Sequence, residues 1–273
     1  MKNVSTNEKL KNQNKNINKE KKGKRKRTLY ERCFKRFLDI VLSFFALIIL
    51  SPVYLIVSIL SLIILRGNPF FAQYRPGKNG KVFKLYKFRS MTNKKDKDGN
   101  LLPDKDRITS YGKILRKLSI DELPQIWNIL KGDMSIIGPR PRVIRDVIFF
   151  DEDVLNALQI RPGLTGLSQI SGGRSEASWQ TIFDKDIEYE KNITFWNDVK
   201  IFFKTFAVVF DFGGASGGAE ESKREYFYCD YLLKNNLITE EQYKAGLEKA
   251  KEIIKEKSSV SYQKSLHNES VVK

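Results

Sequence analysis

From Ile40 to Leu65 the chain reads IVLSFFALIILSPVYLIVSILSLIIL, 26 residues without a charge. That length suffices for a membrane helix. It exceeds a signal-peptide core, and no small-residue cleavage pattern follows it. The segment therefore enters a bilayer. Ser51-Pro52 falls near its centre, and proline removes a backbone donor while crowding the preceding turn, so a kink is expected. In lipid the freed carbonyl needs a partner, and the Ser51 hydroxyl is a candidate. Both flanks are basic, with Lys35 and Arg36 before and Arg66, Arg75, Lys78 and Lys81 after. If Lys and Arg stay cytoplasmic, both ends favour the same side. A bent, re-entrant helix satisfies both ends and a kinked spanning helix only one; the sequence pattern leaves the two open.

Charge is unevenly distributed along the 273 residues. Lys and Arg outnumber Asp and Glu by 49 to 32, a net +17. Between Met1 and Arg36 there are 14 Lys/Arg against three Glu, a surplus of 11. Rich in Asn and poor in apolar side chains, residues 1–35 cannot bury enough surface to fold alone and read as a solvated tail. Attraction to anionic lipid is a further property of the same tail. Cys33 and Cys229 have no ligand-like spacing, which excludes a disulfide framework and a zinc site and fits a reducing compartment. The one histidine, His267, lies in the polar C-terminal tail, so acid, base or nucleophile must come from Asp, Glu, Ser, Tyr or Lys.

Beyond the Gly67-Asn68-Pro69 turn, apolar and polar residues alternate around Phe71, Tyr74, Val82, Phe83, Leu85 and Phe88, which predicts a short hairpin. Asn93 to Asp106 is a polar loop turning at Asp98-Gly99-Asn100. Helical spacing over Ile108 to Leu130 is interrupted at Leu123-Pro124. A helix beginning near Asp121-Glu122, with Pro124 just inside it, would place two carboxylates at its N-terminus. Gly138-Pro139-Arg140-Pro141 is a rigid break, Val143 to Ile160 a second helical stretch, and Trp179 to Glu190 a third. The Phe- and Val-rich stretch 195–212 fits either a core helix or one lying in the headgroup layer. Gly213 to Gly218 lacks the Lys-Ser/Thr of a phosphate loop and reads as a linker. Thr239-Glu240-Glu241-Gln242 is a capping box opening a helix with Tyr243, Leu247, Ala250 and Ile254 on one face, suited to packing or partner contact.

The soluble part presents many cations in Gly- or Pro-bounded loops: Lys87, Arg89, Arg107, Arg116, Arg140, Arg142, Arg161 and Arg174. Arginine suits bidentate recognition of phosphate. Asp121 and Glu122 stand beside them in sequence. Neighbours in a helix point different ways, so one carboxylate could attack while the other holds a metal. With no useful His or Cys that metal would be hard and oxygen-bound, hence Mg2+. A carboxylate attacking phosphorus gives an acyl phosphate. An isolated Asp-Glu pair is more often a solvated helix start.

Several ordered motifs narrow this. Phe83-x-x-Tyr86-Lys87-Phe88-Arg89-Ser90-Met91 comes first, then Leu115-Arg116-Lys117-x-Ser119-Ile120-Asp121-Glu122-Leu123-Pro124-Gln125-x-x-Asn128. Gly132-Asp133-Met134-Ser135, Gly138-Pro139-Arg140-Pro141 and Arg161-Pro162-Gly163-x-Thr165-Gly166-x-x-Gln169 follow, then Asp186-x-x-Tyr189 and Asp198-x-Lys200. From about Arg36 to Phe212 the chain resembles the bacterial sugar transferase family, the monotopic polyprenyl-phosphate phosphoglycosyl transferases. The resemblance implies that Asp121 is a nucleophile toward the β-phosphate of a nucleotide-diphospho-sugar, a UDP-sugar, releasing the nucleoside monophosphate. Polyprenyl (undecaprenyl) phosphate then takes the sugar-phosphate in a ping-pong sequence, the first membrane step of polysaccharide or glycoconjugate synthesis. Glu122 matches the partner carboxylate associated with Mg2+, so Asp121 and Glu122 are the implied metal site. Lys87, Arg89, Arg116, Arg140 and Arg174 are the candidate phosphate binders, with Gln125, Pro139, Pro141 and Asp198 as further site candidates. Ser51 and Pro52 match the break of a re-entrant membrane helix.

The resulting expectation is a helix-dominated α+β chain. A basic tail (1–35) precedes a re-entrant membrane helix hairpin (36–66), a cytoplasmic catalytic domain with a short β-hairpin and interfacial helices (67–212), and a linker with a C-terminal helical extension (213–273). The expected place is the bacterial inner membrane, with donor, polyprenyl phosphate, bilayer and downstream glycosyltransferases as partners and no nucleic acid. Two departures from the family pattern stand out. The Gln169-Ile170-Ser171-Gly172-Gly173-Arg174 loop is one residue longer than the common form, and Arg142-Val143-Ile144-Arg145 lacks the usual Leu-Pro-Tyr character. The competing reading is a non-enzymatic, basic, membrane-anchored protein that tethers nucleic acid; the tail lacks the interleaved aromatics that stack on bases.

Overall fold

The computed structural model describes residues 27–171, 178–210 and 227–270. The basic tail before Arg27, the Gly-Gly-Arg loop with Arg174 and the Gly-rich linker fall outside these residues.

A π-helical turn, Tyr30–Phe34, leads into α1 (Lys35–Ile49), and α2 (Ser51–Leu65) follows directly. The two are bent by 60° at Leu50. Among the described residues no single helix is long and apolar enough to cross a membrane, but the bent pair together passes that test by length and composition. Pro52 sits in the first turn of α2, where a missing N–H costs nothing. Ser51 Oγ donates to the Ile48 carbonyl at 2.8 Å, the carbonyl that Pro52 would otherwise have bonded. The break expected at Ser51-Pro52 is therefore present, and a pair bent by 60° suits either a broken span or a re-entrant loop. Outward-facing Phe44, Phe45, Ile48, Ile49, Leu55, Ile59 and Ile63 are exposed, whereas Asp39, Ser43, Val57, Ser61 and Leu65 are buried against the rest of the chain.

The hairpin forms as expected: β1 (Phe70–Pro76) pairs antiparallel with β2 (Val82–Phe88), Phe70 opposite Phe88. The polar loop turns at Gly99, where Asp96 accepts from the N–H groups of Asp98 and Asn100. Helices α3 (Ser110–Lys117) and α4 (Gln125–Lys131) flank the acid pair. The pattern did not announce the parallel pairing of β3 (Ser135–Ile137) with β4 (Gly163–Thr165). Val143 to Ile160 is two short helices, Ile144–Val147 and Glu152–Ala157. The chain breaks there with Phe150 buried among Trp179 and Phe183, and Asp151 takes the N-cap position of the second piece in an extended conformation.

Helix α5 (Trp179–Lys191) runs into α6 (Phe195–Phe210). One face of α6 is buried through Asp198 and Ile201, while Phe195, Trp196, Phe203 and Phe206 stand exposed, so it is a surface helix and not a core one. The C-terminal region forms α7 (Tyr228–Lys234) and α8 (Glu240–Ser270), and the capping box is made as read: Thr239 N–H bonds Gln242 Oε1 and Gln242 N–H bonds Thr239 Oγ1. These helices pack on the chain itself. Arg145 pairs with Asp230 at 2.8 Å, Tyr243 donates to the other Asp230 oxygen, and Ala250 is buried. Ile254 is exposed, and α8 comes close at Gly246, where an added Cβ would lie 2.2 Å from the Phe149 ring.

Candidate active site

Asp121 and Glu122 occupy one 3-10 turn, Ile120–Glu122, between α3 and α4. Ser119 adopts φ 56° just before it, which turns the chain sharply at the end of α3. Pro124 occupies the position just before α4, and Gln125, its first residue, is buried. The acid pair thus precedes the α-helix that it was expected to open. Each carboxylate residue is only 8% exposed. Nor do the neighbours diverge as expected. Lys87 Nζ, from the end of β2, donates to Glu122 Oε1 at 2.8 Å and stands 4.0 Å from Asp121 Oδ2. In the tight 3-10 turn both acids face one ammonium.

Arg140 Nη2 donates to the same Glu122 oxygen at 2.8 Å. Arg116 Nε donates to Ser90 Oγ at 2.9 Å, and its charge also acts on Asp121. Three of the five anticipated phosphate binders therefore gather at the acid pair. Arg89 points elsewhere: a Cβ added at Gly67 would lie 2.9 Å from its Nη1. Arg174 lies outside the described residues. Pro139 and Pro141, with Arg140 between them, line a cleft of about 550 Å³ that extends toward Pro76, Leu155 and Pro162. Arg140 is where cleft and acid pair meet.

Asp198 is engaged at another place. It accepts from Tyr30 Oη at 2.6 Å, Tyr189 Oη at 2.7 Å and Lys35 Nζ, tying α5 and α6 to the foot of α1. Asp186, which accompanies it in the sequence pattern, is likewise buried, bonded by Ser168 Oγ at 2.7 Å and Arg142 Nη2 at 3.4 Å. Both are braces between distant elements.

Burial pushes the Asp121 carboxyl above the ordinary carboxylate range. Lys87 opposes that most strongly, Glu122 adds to it, and Arg116 and Arg140 oppose it further. The turn thus holds a carboxylate whose charge is costly without its cations.

Two arrangements hold these groups in place. Helix α3 lies so close to Ser90 that a Cβ at Gly112 would be 1.8 Å from the Ser90 carbonyl oxygen, which brings Arg116 within reach of Ser90. Asn128, fully buried on α4, acts as a strand mimic: its Nδ2 donates to Lys84 O at 2.7 Å and its Oδ1 accepts from Tyr86 N–H at 3.1 Å. It fixes β2, and with it Lys87, against the helix that follows the acid pair. The sequence motif contained Asn128 without indicating this role. Asn128→Ala is expected to cost about 3 kcal/mol, because two buried backbone groups lose their partner. Thermal melting of the purified protein checks this, and a shift within error of wild type contradicts it.

A family model described as bacterial sugar transferase matches residues 30–212. The chain belongs to that family. Among its relatives, the uncharacterized sugar transferase EpsL of Bacillus subtilis is 45% identical over 169 residues, covering 61% of this chain and 82% of the relative. The undecaprenyl-phosphate galactose phosphotransferase of Salmonella typhimurium is 41% identical over 203 residues, covering 67% of this chain and 42% of the relative. The UDP-glucose:undecaprenyl-phosphate glucose-1-phosphate transferase of Klebsiella pneumoniae is 38% identical over 185 residues, 63% and 39% of the two chains. The match thus spans less than half the length of the two longer relatives. Family membership makes the chain a sugar-phosphate transferase, against the non-enzymatic reading. Helices α7 and α8 lie beyond the matched residues.

Proposed function

We propose that this protein transfers a sugar-1-phosphate from a UDP-sugar to undecaprenyl phosphate at the cytoplasmic face of the bacterial inner membrane, through a covalent intermediate on Asp121. The observation that carries the reading is a buried carboxylate pair, held by Lys87 and Arg140 beside an open cleft, against the first turn of α2 in an apolar bent helix pair. Relatives named for both substrates, reported above, support the donor and acceptor. In the first step an Asp121 Oδ attacks the β-phosphorus and the bond from that phosphorus to the bridging oxygen breaks, so UMP leaves with the electron pair. In the second, a phosphate oxygen of the polyprenyl phosphate attacks the same phosphorus. The Asp121–phosphorus bond breaks, and the carboxylate is restored. Lys87, Arg116 and Arg140 offset the charge of the diphosphate in both steps. Incubating the purified chain with a panel of nucleotide sugars and polyprenyl phosphate tests the reading through release of nucleoside monophosphate. Release from none of them overturns it.

Asp121 and Glu122 offer a hard oxygen donor set, with no imidazole or thiol beside it, which fits Mg2+ that completes its shell with water and substrate phosphates. Among the described residues no third acidic, His or Cys group joins them in a cluster that could hold a metal by itself. Bound there, Mg2+ would neutralise charge on the diphosphate oxygens. Glu122→Gln is expected to shift the Mg2+ dependence of the rate to higher concentration. An unchanged Mg2+ titration, or full wild-type activity in excess chelator, contradicts the metal role.

The contacts of α2 support re-entrance. Tyr54 Oη donates to the Leu123 carbonyl at 2.5 Å, Tyr111 Oη donates to the Val57 carbonyl at 3.1 Å, and Ser61 Oγ shares a hydrogen bond with Tyr111 Oη at 2.9 Å. From its first turn to Leu65, α2 lies along the domain that carries the acid pair. A helix ending on the far side of a bilayer would leave that domain behind. Each arm has 15 residues, about 22 Å at 1.5 Å per residue. Dipping symmetrically with a 60° bend, the arms reach about 11 Å deep, within one leaflet of a core about 30 Å thick. The exposed aromatics of α6 suit the headgroup layer beside it. With Cys33 replaced by Ser, Thr28→Cys and Lys81→Cys are each expected to resist an impermeant thiol reagent in intact cells and to react after permeabilisation. Labelling of either one from outside contradicts re-entrance.

A further inference from the structure

At the foot of α1 a second group of charges stands apart from the acid pair. A small cleft of about 40 Å³ is lined by Arg27, Lys35, Arg36, Lys78 and Arg161, with Glu31 and Asp39 as its carboxylates. Much of this charge is already committed. Lys35 pairs with Asp198 and Asp39 accepts from Ser135 and Ile136. The Arg36 guanidinium donates to the carbonyls of Ile129 and Leu130, and Arg161 Nε donates to the Gly132 carbonyl at 3.0 Å. These carbonyl bonds aim the two guanidinium groups without neutralising them, while the Asp39 and Asp133 charges offset part of the charge on Arg36. Arg27 lies 3.6 Å from Glu31, a long pairing. The cleft therefore keeps a cationic surplus among Arg27, Arg36, Lys78 and Arg161. Burial lowers the Lys78 ammonium below the ordinary lysine range, the nearby Arg161 and Arg27 charges lower it further, and Glu31 opposes them in part. Like charges held this close are stabilised by an anion placed between them.

We infer that this cleft binds the phosphate of an anionic phospholipid headgroup. Its size fits: about 40 Å³ is room for more than the roughly 10–15 Å³ that a single water needs, as a compact phosphate requires. Its position also fits, because α1 enters its apolar stretch at Ile40, one residue beyond Asp39 in the cleft wall, where headgroups lie. Arginine and lysine supply the donors such a phosphate accepts. The bound lipid would clamp the start of α1 to the β1–β2 turn that carries Lys78. The inference rests on the membrane reading above, but not on Asp121 or on transfer chemistry.

The test uses the full chain. In native mass spectrometry from detergent with added phosphatidylglycerol or phosphatidylcholine, wild type should retain phosphatidylglycerol more tightly. Lys78→Gln and Arg27→Gln should each weaken that retention about fivefold, one surface cation's worth, while Lys251→Gln on exposed α8 leaves it unchanged. Millimolar inorganic phosphate should compete with the lipid. Equal retention of the two lipids, or retention unaffected by both cleft variants, overturns the inference. Phosphate binding without phosphatidylglycerol binding overturns the lipid as its source. Flotation with vesicles separates the two levels. A chain that floats with no vesicle sinks the membrane reading itself, and one that floats without preference for anionic lipid sinks only this site.

Discussion

Asp121→Asn is expected to abolish turnover, lowering it about 10³-fold or more, as loss of a covalent nucleophile does elsewhere. An amide oxygen is a poor nucleophile toward phosphorus, and the neighbouring Glu122 cannot stand in for Asp121. Its Oε1 already accepts from both Lys87 and Arg140, which hold it beside the turn. The substitution is nearly isosteric and removes a charge that burial disfavours, so the fold should be kept or slightly stabilised. An inactive variant with an unchanged or raised melting temperature is the expected pair of results. Wild-type-like release of nucleoside monophosphate by the Asn variant would place the nucleophile elsewhere.

Lys87→Gln is expected to be the next most damaging change, about 10²-fold in kcat/KM, because one ammonium serves both acids and is available to the diphosphate. Its pH signature separates this role from simple phosphate binding. Asp121 must be ionised to attack, and its carboxyl already titrates above the ordinary carboxylate range, with Lys87 the strongest group holding it down. Losing the lysine should raise that carboxyl further, so the acid limb of kcat/KM moves to higher pH. Glu122→Gln removes a neighbouring negative charge and should move the same limb to lower pH. Opposite displacements are the expected outcome across a pH series. Limbs that coincide with wild type in both variants would mean that Asp121 does not control the rate.

Much of this was legible in the sequence where the determinants are local. The hairpin follows from alternation between Phe71 and Phe88, the Asp98-Gly99-Asn100 turn from its residue types, and the α8 start from a capping box. The freed carbonyl at Ile48 and its Ser51 partner were predictable because both lie within one helical turn of Pro52. What escaped depends on long-range packing. The apolar run from Val147 to Phe150 reads as continuous helix, yet it breaks where Phe150 is buried against α5. Ser119 gives no sign of its left-handed backbone, so the convergence of Asp121 and Glu122 on Lys87 could not be foreseen. Asp198 was a reasonable site candidate on an apolar helix. Its partners Tyr30 and Lys35 lie more than 160 residues away in sequence, and spacing along α6 says nothing about them. Similarly, the close approach of α8 to Phe149 at Gly246 could not be read from the spacing along the helix.

The covalent step is tested most directly by intact-protein mass spectrometry of the wild-type chain, mixed with an accepted nucleotide sugar and no polyprenyl phosphate. The expected result is one added sugar-phosphate per chain, a matching burst of nucleoside monophosphate, and an adduct on the peptide holding Asp121 that disappears when polyprenyl phosphate is supplied. A chain that turns over with both substrates, yet shows neither adduct nor burst with the donor alone, would contradict it and point to direct transfer between the two substrates.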